Sequence, residues 1–227
     1  MYKAGDFVFL GVWRYTASMR YEKNFVVFEG IDGSGKGTQI DLLKQWWAGH
    51  KKNKIVFTRE HTRDGQWSDQ IEALIHGGGA DAVTAEKLQL LYILDRKDHL
   101  EHVILPAIKK GETVVCDRYF LSTLAYGSID RQLHWKTLLE NHKEILGDIF
   151  IAPAKTIFID IDPDIALQHI ADRGEGRTYF ETLDRQRIIR DAYLSIGPHF
   201  EGFTVVDGRG TPEEVFDRVK NELVDYL

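Results

Sequence analysis

Residues 25–39 read Phe-Val-Val-Phe-Glu-Gly-Ile-Asp-Gly-Ser-Gly-Lys-Gly-Thr-Gln, an apolar run that feeds a glycine-rich turn and then a lysine. That order of residue types suits the holding of a phosphate chain. The β-prone stretch Phe25–Phe28 makes a buried strand, and Gly30, Gly33 and Gly35 let the following turn aim backbone N–H groups inward, where a side chain would collide with an anion. Lys36 adds a positive point charge, and the helix expected to follow turns its dipole and unpaired N-terminal amides toward the same spot. The candidate triphosphate ligands are therefore Gly30, Ile31, Asp32, Gly33, Ser34, Gly35, Lys36, Gly37 and Thr38.

The spacing from Gly30 to Gly35-Lys36 fits the P-loop pattern, but the residue after the lysine is Gly37 and the hydroxyl comes one position later. Either Thr38 or water must then supply the oxygen that usually meets Mg²⁺. Asp117-Arg118-Tyr119 closes another apolar run, so its carboxylate falls near the same crevice and can hold Mg²⁺ directly or through water. Arg118 offers paired N–H contacts to phosphate oxygens, although a plain ion pair at a strand end explains the same residues. Tyr92, Arg96 and His99 fall on roughly one face of a helix, where an aromatic ring and a guanidinium one turn apart suit a nucleobase; a solvated charged face is the simpler alternative. Asp172-Arg173-Gly-Glu-Gly-Arg177-Thr-Tyr-Phe180, glycines flanking arginines without apolar periodicity, reads as a mobile lid that brings cations over bound nucleotides and excludes water.

The elements that must position these residues alternate along the chain. Short apolar runs predict strands at 25–29, 54–58, 113–117, 156–161 and 203–207, and their unbroken apolar character suits a parallel sheet covered on both faces. Helices are expected at 36–50, 68–75, 135–145, 163–172, 182–193 and 212–227, and either one long helix or two abutting ones at 84–110, interrupted near Pro106. With 227 residues, 43% of them hydrophobic, one α/β domain can bury a sizeable core. A net charge of −6 argues against broad nucleic-acid or membrane-surface binding. The single cysteine, Cys116, lies in an apolar run, and no stretch approaches a membrane span or an apolar signal core, so the cytoplasm is the expected setting. Residues 1–18 precede an ordinary start at Met19 and are read as an extension of unassigned role, with residues 19–227 as the single catalytic domain.

Four motifs occur together: Phe-Glu-Gly-Ile-Asp-Gly-Ser-Gly-Lys, Phe57-Thr-Arg59-Glu60, Leu91-Tyr92-x-x-Asp95-Arg96-x-x-His99, and Asp117-Arg118-Tyr119-x-x-Ser122-x-x-Ala125-Tyr126. In this order and spacing they make residues 24–227 resemble the thymidylate kinases, P-loop nucleoside monophosphate kinases. The resemblance implies a five-stranded parallel sheet flanked by helices with a short lid, and transfer of a phosphoryl group from ATP to dTMP with Mg²⁺. It further implies that Tyr92 stacks on thymine, Arg96 contacts the base, Arg118 contacts phosphate, and Ser122, Thr123 and Tyr126 line base and deoxyribose, with Tyr126 crowding the 2′ carbon. Asp32 would sit near the acceptor's sugar and phosphate, and Asp117 and Thr38 near the metal. The lid would supply catalytic Arg173 and Arg177 beside Lys36 and Arg118, and the protein would pair as a homodimer.

Two departures from the family pattern bear on specificity. Its closing glutamine is Gly127 here, and the bacterial Pro-Gly-Gly-Thr after Glu60 is replaced by His61-Thr-Arg63-Asp-Gly65. Arg59 and Arg63 are both candidates for the acceptor phosphate, and Arg59, inside the matching motif, is preferred. A kinase for another deoxynucleotide stays open on these grounds. A nucleotide-dependent switch is less favoured, because no Asn-Lys-x-Asp guanine motif occurs: Asn53-Lys54 is followed by Ile55-Val56.

Overall fold

Five strands lie parallel in the order β2-β3-β1-β4-β5: β1 (Arg20–Glu29), β2 (Ile55–Arg59), β3 (Thr113–Asp117), β4 (Ile151–Asp160) and β5 (Phe203–Asp207). The structure, a computed structural model, describes residues 19–49, 54–76, 82–129, 133–174 and 180–226. The expected extension, residues 1–18, lies outside the described residues, and so does most of the expected lid, residues 175–179.

Successive strand residues point to opposite faces, and both faces of this sheet are dry. Phe25, Val27, Val114, Cys116 and Phe158 pack on one side against α3 (Ala82–His99), α5 (Phe120–Gly127), α6 (Trp135–Leu146) and α8 (Leu183–Ile196). Val26, Phe28, Val115 and Ile157 pack on the other against α1 (Lys36–Ala48) and α9 (Pro212–Leu223). The remaining helices are α2 (Ser68–His76), α4 (Leu105–Lys109) and α7 (Pro163–Arg173). The direction of strand order reverses beside β1, so the crevice outside its carboxyl end, between the neighbouring strand ends, is where an α/β sheet of this kind takes a ligand.

The region expected as one or two helices is both: α3 runs into a single π turn at Leu100–Ile104 and then α4. Pro106 has no N–H to give and its ring crowds the preceding turn, and widening that turn lets the rod continue. β4 starts five residues earlier than expected, at Ile151, despite Pro153. That proline lies before the β5 ladder, which begins at Thr156, and beside the register shift between Glu22 and Val26 of β1. Its missing N–H therefore costs no ladder bond.

Helix α5 has no amphipathic periodicity to announce it. Seven of its eight residues are buried, so it lacks a polar face, and no side chain of its own segment caps it. The cap comes from β1: Glu29 Oε1 accepts the backbone N–H groups of Tyr119 (2.9 Å) and Ser122 (3.2 Å). Its Oε2 accepts from the hydroxyls of Ser122 (2.6 Å) and Tyr193 (2.8 Å). One buried carboxylate thus ties β1, α5 and α8 together and occupies the positive end of the α5 dipole. Glu29→Ala strands two buried N–H groups and is expected to lower the unfolding free energy by about 3 kcal/mol in urea titrations. A loss below about 1 kcal/mol would contradict the capping role.

Candidate active site

The segment joining β1 to α1 is shaped by its glycine backbone and tied down by the Lys36 side chain. Gly33 has φ 79°, and a Cβ there would overlap the carbonyl oxygen of Ala166 in α7, so only glycine fits. Gly35, φ 90°, caps α1, and no side chain bonds the helix's first amides. Those N–H groups are therefore available to an anion. Lys36 Nζ donates to the carbonyls of Gly30 (3.0 Å) and Ile31 (2.9 Å), which lie beneath the loop. Burial, and then the like charge of Arg118, lower its pKa to about 8.

Residues 32–39 line a cavity of about 650 Å³ together with Arg59, Asp117 and Arg118, and with Gly208, Gly210 and Pro212 from the turn between β5 and α9. A Thr211–Glu214 capping box closes that turn, which also walls the cavity. Thr38 lies in this lining. Asp117 Oδ1 is buried there without any hydrogen-bond partner, an oxygen free to meet a hard cation.

A second cavity, about 430 Å³, adjoins the first; Asp32, Arg59, Arg118 and Glu181 line both. Arg118 forms much of the shared wall. Its backbone has φ 71°, and it is the one non-glycine in the left-handed region among the described residues. Its N–H donates to Phe28 O at 2.8 Å. The guanidinium donates to Asp32 Oδ1 (2.6 Å), Gly30 O (3.0 Å) and Ser122 Oγ (3.2 Å), and lies 4.9 Å from the centre of the Tyr126 ring. Burial alone would raise the Asp32 pKa, but the charges of Arg118 and Lys36 outweigh it and hold the carboxyl below its ordinary range.

Tyr92, Arg96, Ser122, Thr123 and Tyr126, expected from the sequence to meet one nucleotide, all line this second cavity. The Ser122 hydroxyl is engaged by Glu29, Tyr193 and Arg118, so it supports the wall more than it faces the cavity. Arg96, 2% exposed, is clamped: Nε and Nη2 donate to Glu60 (2.7 and 2.6 Å), and Nη1 donates to Thr123 Oγ1 (3.1 Å) and His142 Nε2 (2.5 Å). His99 does not join the lining; it bonds Thr58 at 2.6 Å and Glu60 at 3.1 Å behind it. Arg59 is exposed and lines both cavities, whereas Arg63 lines neither. Arg177 lies outside the described residues, as does the side chain of Arg173 at the end of α7.

Several residues of the site carry no local signal. Glu29 and Tyr193 meet only through tertiary contact, and His142 reaches Arg96 from α6, a helix outside the four motifs. The loop after Glu60 is fastened to α3, with Thr62 N and Oγ1 donating to Asp95 at 2.9 and 2.5 Å. Its His61 joins the lining, bonds Glu72 at 2.7 Å and sets its ring 5.8 Å from that of Tyr92. Gly127 does not face either cavity: a Cβ there would overlap Leu138 Cδ1 of α6.

Residues 28–219 match a family model described as Thymidylate kinase. The chain is 35% identical over 200 residues to a thymidylate kinase of Carboxydothermus hydrogenoformans, covering 88% of this chain and 96% of that protein. It is 32% identical over 215 residues to one of Oleidesulfovibrio alaskensis, covering 89% and 98%. A probable thymidylate kinase of Pyrococcus abyssi is 32% identical over 207 residues, covering 88% and 97%.

A lysine with a pKa of about 8 loses its charge as pH rises through that value, and with it the attraction for a polyphosphate. Because kcat/KM reports the free enzyme, kcat/KM for the nucleoside triphosphate should fall above about pH 8, approaching tenfold per pH unit, while a Lys36→Arg variant shows no such fall. A profile for the unsubstituted protein that stays level to about pH 10 would contradict this.

Proposed function

The chain belongs to the thymidylate kinase family and is a dTMP kinase, a phosphotransferase, and from that premise we propose how its own residues divide the work. ATP enters the cavity of the glycine-rich loop and dTMP the adjoining one, so that the γ-phosphoryl group passes across the wall formed by Arg118. The observation that carries this reading is that the Arg118 guanidinium, fixed by Asp32, Gly30 and Ser122, borders both cavities.

Lys36 and the first amides of α1 hold the β and γ phosphates. Arg118 neutralises charge between donor and acceptor, and Arg59, which borders both cavities, meets the acceptor phosphate in preference to Arg63. Two anions must approach closely, so screening and alignment are the main demands; the acceptor phosphate is already a nucleophile and needs no general base. Asp32 fixes Arg118 and contacts the acceptor's sugar and phosphate. Tyr92 stacks on thymine, Arg96 and Thr123 read its edge, and Tyr126 crowds the 2′ position and so disfavours a ribonucleotide. Arg173 and Arg177 add cations from the lid when it closes.

The partnerless Asp117 oxygen and Thr38, which line the same cavity, fit Mg²⁺; they would hold it, and it would supply charge neutralisation for the phosphates. Residues 19–227 act as one catalytic unit, with 1–18 as an extension. A homodimer is part of this reading, with the exposed apolar side chains of Leu90 and Val103 along the α3 rod as candidate contacts. Among the described residues no helix is long and apolar enough to cross a membrane. With both substrates water-soluble, we assign the reaction to the cytoplasm.

Assays of dTMP, dUMP, dCMP and dGMP with ATP, read by ADP release, test the assignment. The highest kcat/KM is expected for dTMP. Equal or better use of dCMP or dGMP would contradict the base-pocket roles given to Arg96 and Thr123.

A further inference from the structure

His142 of α6 is wholly buried, at 0% exposure, and belongs to none of the motifs that mark the site. Its Nδ1 lies 2.6 Å from the carbonyl oxygen of Leu138, and Nε2 lies 2.5 Å from Arg96 Nη1. A carbonyl can only accept and a guanidinium can only donate. The two contacts together fix one tautomer: neutral, with the proton on Nδ1 and a lone pair on Nε2 directed at Arg96. Burial, then the Arg96 charge, push the pKa well below that of an ordinary histidine, in keeping with a neutral ring. The ring is wedged as well, stacked 5.5 Å from Phe150 and edge-on to Phe120 at 6.4 Å.

The consequence falls on Arg96. A guanidinium has five N–H donors. Nε–H and one Nη2–H go to Glu60, and the two on Nη1 go to Thr123 and His142. One Nη2–H is left for whatever occupies the cavity that Arg96 lines. The departure at Gly127 belongs to the same arrangement, because the space a side chain would take there is filled by Leu138, one turn before His142 on α6. Trading the family's glutamine for glycine thereby accompanies a close approach of α6 to α5 and to Arg96.

We propose that His142 is a positioning residue for the acceptor base: it locks Arg96 so that a single N–H meets a carbonyl oxygen on the base, which favours thymine or uracil over cytosine, whose amino group at the equivalent edge would oppose it. This rests on the reading of the second cavity as the dTMP site. Removing the acceptor lone pair frees a guanidinium donor and lets Arg96 rotate, so a base with an amino group is no longer penalised as strongly.

The test compares His142→Phe, which keeps a ring against Phe150 but accepts nothing, with His142→Gln, whose side-chain oxygen can take the place of Nε2. His142→Phe is expected to raise the KM for dTMP about 10- to 100-fold and to narrow the dTMP:dCMP preference, with the KM for ATP unchanged within about twofold. His142→Gln should recover most of the dTMP affinity. An unchanged dTMP KM in folded His142→Phe overturns the proposal, and so does equal loss of ATP and dTMP binding. Long-range ¹H–¹⁵N spectra of the unsubstituted protein test it without any variant: a proton on Nδ1 supports it, and a proton on Nε2 overturns it. If the unsubstituted enzyme fails to use dTMP, the reading of the cavity falls first, and that result is distinct from normal dTMP use unaffected by position 142.

Discussion

The Arg118 guanidinium, held between the glycine-rich loop and α5, is the contact on which the rest of the site depends. It reaches Gly30 and Asp32 on one side and Ser122 and Tyr126 on the other, so a shift in either element moves the wall common to both cavities. The backbone pays for this position: a non-glycine residue at φ 71° costs roughly 1 kcal/mol. The left-handed residue turns the chain sharply out of β3, and in the same turn Arg118 N–H binds the end of β1. Local strain and the ion pair with Asp32 are thus two parts of one device that fixes a positive charge at the wall common to both cavities.

Buried charge elsewhere follows the same logic. Glu29 is wholly buried, and burial raises its pKa against the hydrogen bonds from Ser122 and the charge of Arg118. It nonetheless receives four donors, from α5 with its N-cap Tyr119 and from α8. Arg96 is equally surrounded, by Glu60, Thr123 and His142. In each case the protein saturates most of the group's hydrogen bonds, and only Arg96 also lines a cavity. Dipoles fixed before binding need little reorganisation during reaction, which is where electrostatic catalysis gains most. The guanidiniums also stack, Arg96 5.1 Å from the Tyr119 ring centre and Arg118 over Tyr126, so their flat faces lie on aromatic rings while their edges do the bonding.

What the sequence discloses is what is local. The strand–glycine–lysine–helix run at 25–39 carries its own geometry, because each residue type answers a backbone or charge requirement of its neighbours. The third and fifth strands are found at their expected limits, since short apolar runs with polar ends have little freedom. Helix α5 escaped because it is buried all round and its cap is donated by Glu29 from another element. The first half of β4 escaped because Pro153 argues against a strand until the neighbouring ladders are known. Arg96 and Ser122 could be grouped from spacing and family likeness, but the tertiary partners that orient them, His142 for Arg96 and Tyr193 for Ser122, have no spacing to betray them. The departure at Gly127 shows the same limit: its meaning depends on Leu138 of a helix that follows in the chain.

The central claim is that two nucleotide sites share one cationic wall. Calorimetric titration of a single molecule in which adenosine and thymidine are joined through a chain of five phosphates tests it most directly, since it needs both cavities at once. If the sites adjoin across Arg118, the linked compound binds at least about 100-fold more tightly than ATP or dTMP alone. If it binds no more tightly than ATP, the cavities are not engaged together and the account is wrong.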